Sequence, residues 1–203
     1  MDDDNTTNPG NAGVDERPRI TVGLRDGTVV ELRPISPEDR TLLIEGLRQL
    51  SMESRFARFG SGISSLSEAE LRYLTEIDQV THVAWGATVG GEPAGVGRYI
   101  VGQDGRADIA ITVVDRFQHR GLGRLLFDAL VASARASGVD SFSFSIEPWN
   151  RGVLRMLPGV DIELDEADGM LTGRLEIEDL PSDDLDTDFV EVLDRSRIRD
   201  AED

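Results

Sequence analysis

The stretch VVDRFQHRGLGRLLFDALVASARASG, Val113–Gly138, sets a β-branched pair against a long amphipathic run, with Gln118, Gly121 and Gly123 between them. Val113 and Val114 close the alternating segment RADIAITVV, 106–114, which reads as a strand. Leu125, Leu126, Ala129, Leu130 and Ala132 fall at core spacing, which predicts a helix over about 121–137. A helix start presents free N–H groups and a partial positive charge. Glycines there let a ligand approach the backbone closely. Arg120 and Arg124 flank the turn and offer charge-assisted contacts to an anion. The junction reads either as an anion cradle or as a tight helix entry, because a lone Gly-x-Gly is weak evidence. A dinucleotide fingerprint needs a third glycine in a parallel βαβ unit, and a Walker motif needs Gly-Lys-Ser/Thr. The chain has neither, and it contains no lysine.

Moving outward, TVVELRPI (28–35) alternates as a strand. SPEDRTLLIEGLRQL (36–50) opens with a Ser N-cap, a proline and acids, then repeats leucine at helical spacing. SMESRFARF (51–59) predicts a short second helix, and SLSEAELRYLTEI (65–77) a third with Ser67 as its cap. Segments 81–90, 92–101 and 106–114 form an antiparallel meander, separated by Gly90-Gly91 and Gln103-Asp104-Gly105. After the 121–137 helix come a strand at 141–147, a short helix stopped by Pro158, and a closing hairpin turning at Asp168-Gly169.

The 203 residues suffice for one domain with a buried core. Net charge is −18, of which residues 1–18 carry −4, residues 176–203 carry −9 and the span between only −5. The acid therefore reads as two solvated tails: a disordered one over 1–18 and an acidic one over 181–203, around a domain at 19–180. A general nucleic-acid binder is disfavoured, because it needs a basic face. No apolar run approaches about 18 residues, which argues against a membrane span. The polar N-terminus lacks the parts of a signal peptide, so a cytoplasmic protein is expected. Without cysteine there is no thiolate chemistry, and two distant histidines, His82 and His119, give little support for a metal.

Gln118-x-x-Gly121-x-Gly123 after a strand, with Asn150 just past the next strand, resembles the acetyl-CoA site of GNAT superfamily N-acetyltransferases. The order of elements from about Thr28 to Ile177 fits as well. The resemblance implies an α/β (α+β) GNAT fold: a mixed, mostly antiparallel twisted sheet of six to seven strands flanked by helices. In that family a splayed strand pair holds coenzyme A. It implies that Ile111, Val113 and Val114 offer a backbone edge to the pantetheine arm. The segment Gln118, His119, Arg120, Gly121, Leu122, Gly123 and Arg124 would cradle the diphosphate, and Asn150 would bond near the arm. Ser51-x-x-Ser54-Arg55-x-x-Arg58-Phe59 further resembles the GNAT domains of bacterial protein-lysine acetyltransferases. In that group a cyclic-nucleotide domain can precede the catalytic one, and this chain is expected to have no room for it. Phe56 and Phe59 are expected to pack, while Arg55 and Arg58 either pair with acids or line the acceptor groove.

Acetyl transfer to an amine needs a neutral nucleophile, hence a base or a relayed water. In the resembled group a Glu of the strand before the glycine loop is the usual base, which implies Asp108 here. Glu147 is a second candidate, and Glu76 and Asp78 are weaker ones. Many relatives carry a tyrosine acid on the last helix, and VLRMLPGVDIE contains none. The implied activity is acetyl-CoA-dependent transfer to a primary amine, on a protein lysine or a small molecule, by direct attack in a ternary complex. The alternative is a catalytically idle acyl-CoA-binding module. No metal, nucleic acid or membrane is expected, and the chain is expected as a monomer or a homodimer.

Overall fold

The computed structural model describes residues 17–156, 162 and 164–200. Among them, eight strands form one sheet: β1 (Ile20–Gly23), β2 (Val29–Pro34), β3 (His82–Val89), β4 (Glu92–Val101), β5 (Ala107–Val113), β6 (Ser141–Ile146), β7 (Leu164–Ala167) and β8 (Met170–Glu176). The spatial order is β1-β2-β3-β4-β5-β6-β8-β7. Every pairing is antiparallel except β5 with β6. The helices are α1 (Arg40–Gln49), α2 (Met52–Phe59), α3 (Glu68–Thr75), α4 (Leu122–Ala136), α5 (Arg151–Met156) and α6 (Asp186–Asp200). The sheet exceeds the expected six to seven strands because Ile20–Gly23 pairs with β2, a short segment with too few alternations to stand out in the sequence.

Local rules explain the boundaries. Ser67 caps α3 in a reciprocal box with Glu70, and Ser51 caps α2 by accepting from the Ser54 N–H at 3.1 Å. The β7–β8 turn places Asp168 and Gly169 at φ 53° and 77°, as a two-residue hairpin with right-handed twist demands. Helix α4 buries Leu122, Leu126, Phe127 and Leu130 against β3–β5. It can lie that close because β4 carries Gly95 and Gly97: a Cβ on Gly97 would come within 3.1 Å of Leu130 and 3.3 Å of Leu126. On the opposite sheet face, α1 packs over β4 and α2 over β5, with α3 against α1.

The β5–β6 pair positions the site. Its ladder holds only Ala107↔Phe142 and Asp108↔Ser143, after which the two strands part. From Ile109 onward the β5 edge facing β6 has no strand partner.

The C-terminal segment corrects an expectation. Residues 186–200, read as part of an acidic tail, form α6 and dock on α4, β1 and β2. Phe189 and Leu193 are fully buried, with Val192 and Ser196 beside them, an i, i+3, i+4, i+7 stripe inside an acidic surface. The Phe189 ring meets Trp85 edge-on at 5.5 Å, and Arg197 donates to the Gln79 carbonyl at 2.7 Å. The expected N-terminal tail lies outside the described residues up to residue 16, as does Pro158.

Candidate active site

A groove of about 640 Å³ runs along the parted edge of β5. Its walls come from the end of β5, the loop 115–121, the first turn of α4, the start of α5 and one face of α2. A second, apolar cavity of about 80 Å³ lies under α1–α3 against β4 and β5. Arg58 and Thr112 line both, so the two spaces meet there.

The open edge follows from strand alternation. The Val114 N–H bonds Ala94 O at 2.9 Å, so it points toward β4. Successive residues alternate, so Ile111 and Val113 direct N–H and C=O to the vacant side. The Val113 carbonyl accepts from Gln118 Nε2 at 3.1 Å. Val114 is thus a wall of the apolar cavity rather than part of the free edge.

The glycine loop ends in an uncapped helix start. Gly121 is the N-cap of α4 at φ 98°, with no side-chain cap, and the first bond of that turn is Leu125 N–H to Gly121 O at 3.1 Å. The N–H groups of Leu122, Gly123 and Arg124 precede that bond and have no intrahelical acceptor. Gly121 and Gly123 line the groove, as do His119 at φ 61° and Arg124, which pairs with Asp128 at 2.7 Å. A Cβ on Gly123 would come within 2.9 Å of the Met156 sulfur, so glycine lets Met156 pack closely on the first turn of α4. The Leu122 side chain is core, leaving only its N–H for a ligand.

The loop is braced from α2. Asp115 accepts from Ser51 N–H at 3.0 Å and Ser54 Oγ at 3.1 Å, and Gln118 Nε2 donates to Ser54 Oγ at 3.2 Å. Burial pushes the Asp115 carboxyl up, but the Ser51 and Ser54 bonds outweigh it and hold the carboxyl below its usual range. Sequence reasoning missed this brace; Ser51 and Ser54 on the first turn of one helix, with an acid just after the strand, were its only signal.

Not every expected site residue comes to the groove. Arg120 turns outward, 3.5 Å from Asp26 and 3.4 Å from Thr28, and does not line it. Asn150 and Trp149 do line it, at the start of α5. Glu147 lines neither space. Asp108 is exposed where the β5–β6 ladder ends and accepts a hydrogen bond from Ser143. It shares a strand face with Ala110 and Thr112 and lies about 6.6 Å, one strand repeat, before Ala110. Ala110 lines the cavity and Asp108 does not.

The cavity holds two arginines among leucines. Arg98 of β4 is 5% exposed and donates from Nη1 to His82 Nε2 at 3.1 Å and to Leu74 O at 3.4 Å. Burial, then the neighbouring Arg58, lowers its guanidinium to about 10. Burial likewise lowers Arg58, whose guanidinium stands 5.1 Å from the Phe59 ring. Burial, then Arg98, holds His82 down to about 4 against the pull of Asp78, so His82 is neutral and accepts. Tyr99 is fully buried on the other face against Phe142.

The profile of the acetyltransferase (GNAT) family matches residues 44–157. Acetyltransferase Pat of Mycolicibacterium smegmatis is 32% identical over 144 residues, covering 68% of this chain. The chain spans 42% of the length of that relative. The crystal structure of the GNAT domain of S. lividans PAT superposes with a TM-score of 0.72 at 28% identity, covering 78% of this chain and 96% of that one. The fold is also that of yncA from Salmonella typhimurium, solved with its cofactor acetyl-CoA, at 14% identity and a TM-score of 0.61, covering 76% of this chain and 98% of that one.

Proposed function

The chain belongs to the acetyltransferase (GNAT) family, and on that premise we propose that it transfers an acetyl group from acetyl-CoA to a primary amine. The observation that carries this reading is the junction of the groove with the apolar cavity at Thr112 and Arg58. One space suits an elongated, phosphate-bearing donor, the other a small acceptor, and they meet beside an unpaired strand edge.

The N–H groups of Leu122, Gly123 and Arg124, aligned with the α4 dipole, would hold the diphosphate, with His119 and Arg124 beside it. The pantetheine amides would pair with Ile111 and Val113 as an added strand, near Asn150. The Ile111 N–H then faces the thioester carbonyl, a fixed donor for the oxyanion that forms on attack. The amine nitrogen attacks the carbonyl carbon, the C–S bond breaks, and the sulfur leaves with the electron pair. A thiol with a pKa of about 8.5 leaves readily as thiolate, so the missing tyrosine acid is no obstacle. The amine proton passes to water and on to Asp108, which is too far along β5 for direct contact with Thr112. Glu147, further from both spaces, is the weaker acceptor.

Thiol release from acetyl-CoA with an amine panel tests the reading. Turnover is expected in the parent, and Asp108→Ala is expected to lower kcat roughly 10²-fold or more, the usual contribution of acid–base help, with CoA affinity retained. Tight CoA binding with no turnover on any amine would instead favour the idle binding module.

A further inference from the structure

The lining of the acceptor-side cavity contains no carboxylate. Leu42, Leu47, Leu74 and Val96 supply apolar walls, and Arg58 and Arg98 supply its charge. Neither arginine forms an ion pair among the described residues. The acceptors of Arg98 are neutral, and Arg58 stands beside the Phe59 ring with Tyr73 nearby, neither of them a carboxylate. The contrast with Arg33 is informative. That arginine, equally buried, meets the fully buried Asp39 at 2.5 Å through both terminal nitrogens. Burying a cation is costly unless an anion answers it. Two like charges placed near each other in one apolar pocket compound that cost. A guanidinium fork is shaped for a carboxylate and holds it through two hydrogen bonds. The pocket is therefore poorly suited to the cationic, anion-free side chain of a lysine.

Resting on the acetyltransferase reading, we propose that the acceptor is a small amino carboxylate with an apolar body, its carboxylate held by Arg98 and Arg58 and its amine directed to Thr112. The apolar body fills the space among the leucines of α1 and α3. The positive pair also favours loss of the amine proton, since a cationic amine beside two guanidiniums is destabilised. The neutral amine nitrogen then joins the acetyl carbon, coenzyme A leaves as thiolate, and the one proton released passes through water to Asp108. The product is an N-acetyl amino carboxylate that stays anionic.

Direct calorimetry of leucine, methionine and phenylalanine against their decarboxylated amines, with and without CoA, reads the pocket independently of chemistry. The amino carboxylates are expected to bind at least about tenfold tighter, and Arg98→Met to abolish that preference while CoA binds as in the parent. Arg98→Gln and Arg58→Met, with melting curves, distinguish a lost contact from a lost fold: the preference should fall in whichever variants remain folded. Equal or better binding of the decarboxylated amines overturns the proposal, as does a preference that survives in every folded variant. Failure of CoA to bind, with the carboxylate preference intact, instead overturns the acetyltransferase reading and leaves the pocket assignment standing.

Discussion

At Gly121 the backbone stands at φ 98°, and a Cβ there would meet nothing within 4 Å. The cost of a side chain is thus conformational, not steric crowding by neighbours. Gly121→Ala is expected to destabilise the protein by roughly 1–2 kcal/mol, the penalty for an L-residue at positive φ, measured by chemical denaturation. His82 offers a pH test. Its folded pKa is about 4, so between about 6.5 and 4 the unfolded chain binds more protons at this site than the folded one. The stabilisation it carries is complete above about 6.5 and is lost as pH falls through that window. Half-buried Asp128, raised to about 6 chiefly by desolvation, acts in the opposite sense, so the parent alone is a poor readout. The stability difference between the parent and His82→Asn isolates the histidine. It is expected to shift in favour of the variant as pH drops from 7 to 4.5; a constant difference would contradict the neutral assignment.

Among the elements, α6 carries the clearest lesson. Phe189→Ala removes a fully buried ring packed on Trp85 and is expected to cost about 3–5 kcal/mol in denaturant unfolding, as for other core phenylalanines. A change under 1 kcal/mol would mean that α6 is not docked. The sequence misled here because twelve acids crowd residues 176–203 and only Phe189, Val192, Leu193 and Ser196 mark the buried stripe. By contrast, α4 and the meander were legible, since their patterning is strong and their turns carry Gly90-Gly91 and Gly105. The glycine loop was legible in its backbone and less so in its side chains. Arg120 stands in the motif, yet Asp26 on the distant β1–β2 turn draws it outward. Tertiary partners of that kind leave no local trace. Arg98 sits mid-strand in EPAGVGRYIV, and nothing in that stretch says that it faces a cavity. Element pairing also explains the brace: Ser54→Ala removes the hydroxyl between Asp115 and Gln118 and should weaken CoA binding a fewfold without lowering the melting temperature sharply.

For the whole molecule, the net charge of −18 opposes approach of a polyanion such as coenzyme A. On the proposed reading, the main-chain amides at the start of α4, with Arg124 beside them, would hold the diphosphate against that field. Salt shortens the reach of the repulsion from about 30 Å at 0.01 M to about 8 Å at 0.15 M. The CoA association rate, followed by stopped flow, is therefore expected to rise over that range; a fall would point to steering by a positive surface. The central claim is that main-chain N–H groups at the start of α4 grip the CoA diphosphate, and calorimetric titration with CoA tests it most directly. The account predicts saturable binding below about 1 mM, within the ordinary range for substrates, and at least about tenfold weaker binding by Gly121→Glu. No heat at millimolar CoA, or a Gly121→Glu variant that binds as the parent does, would contradict it.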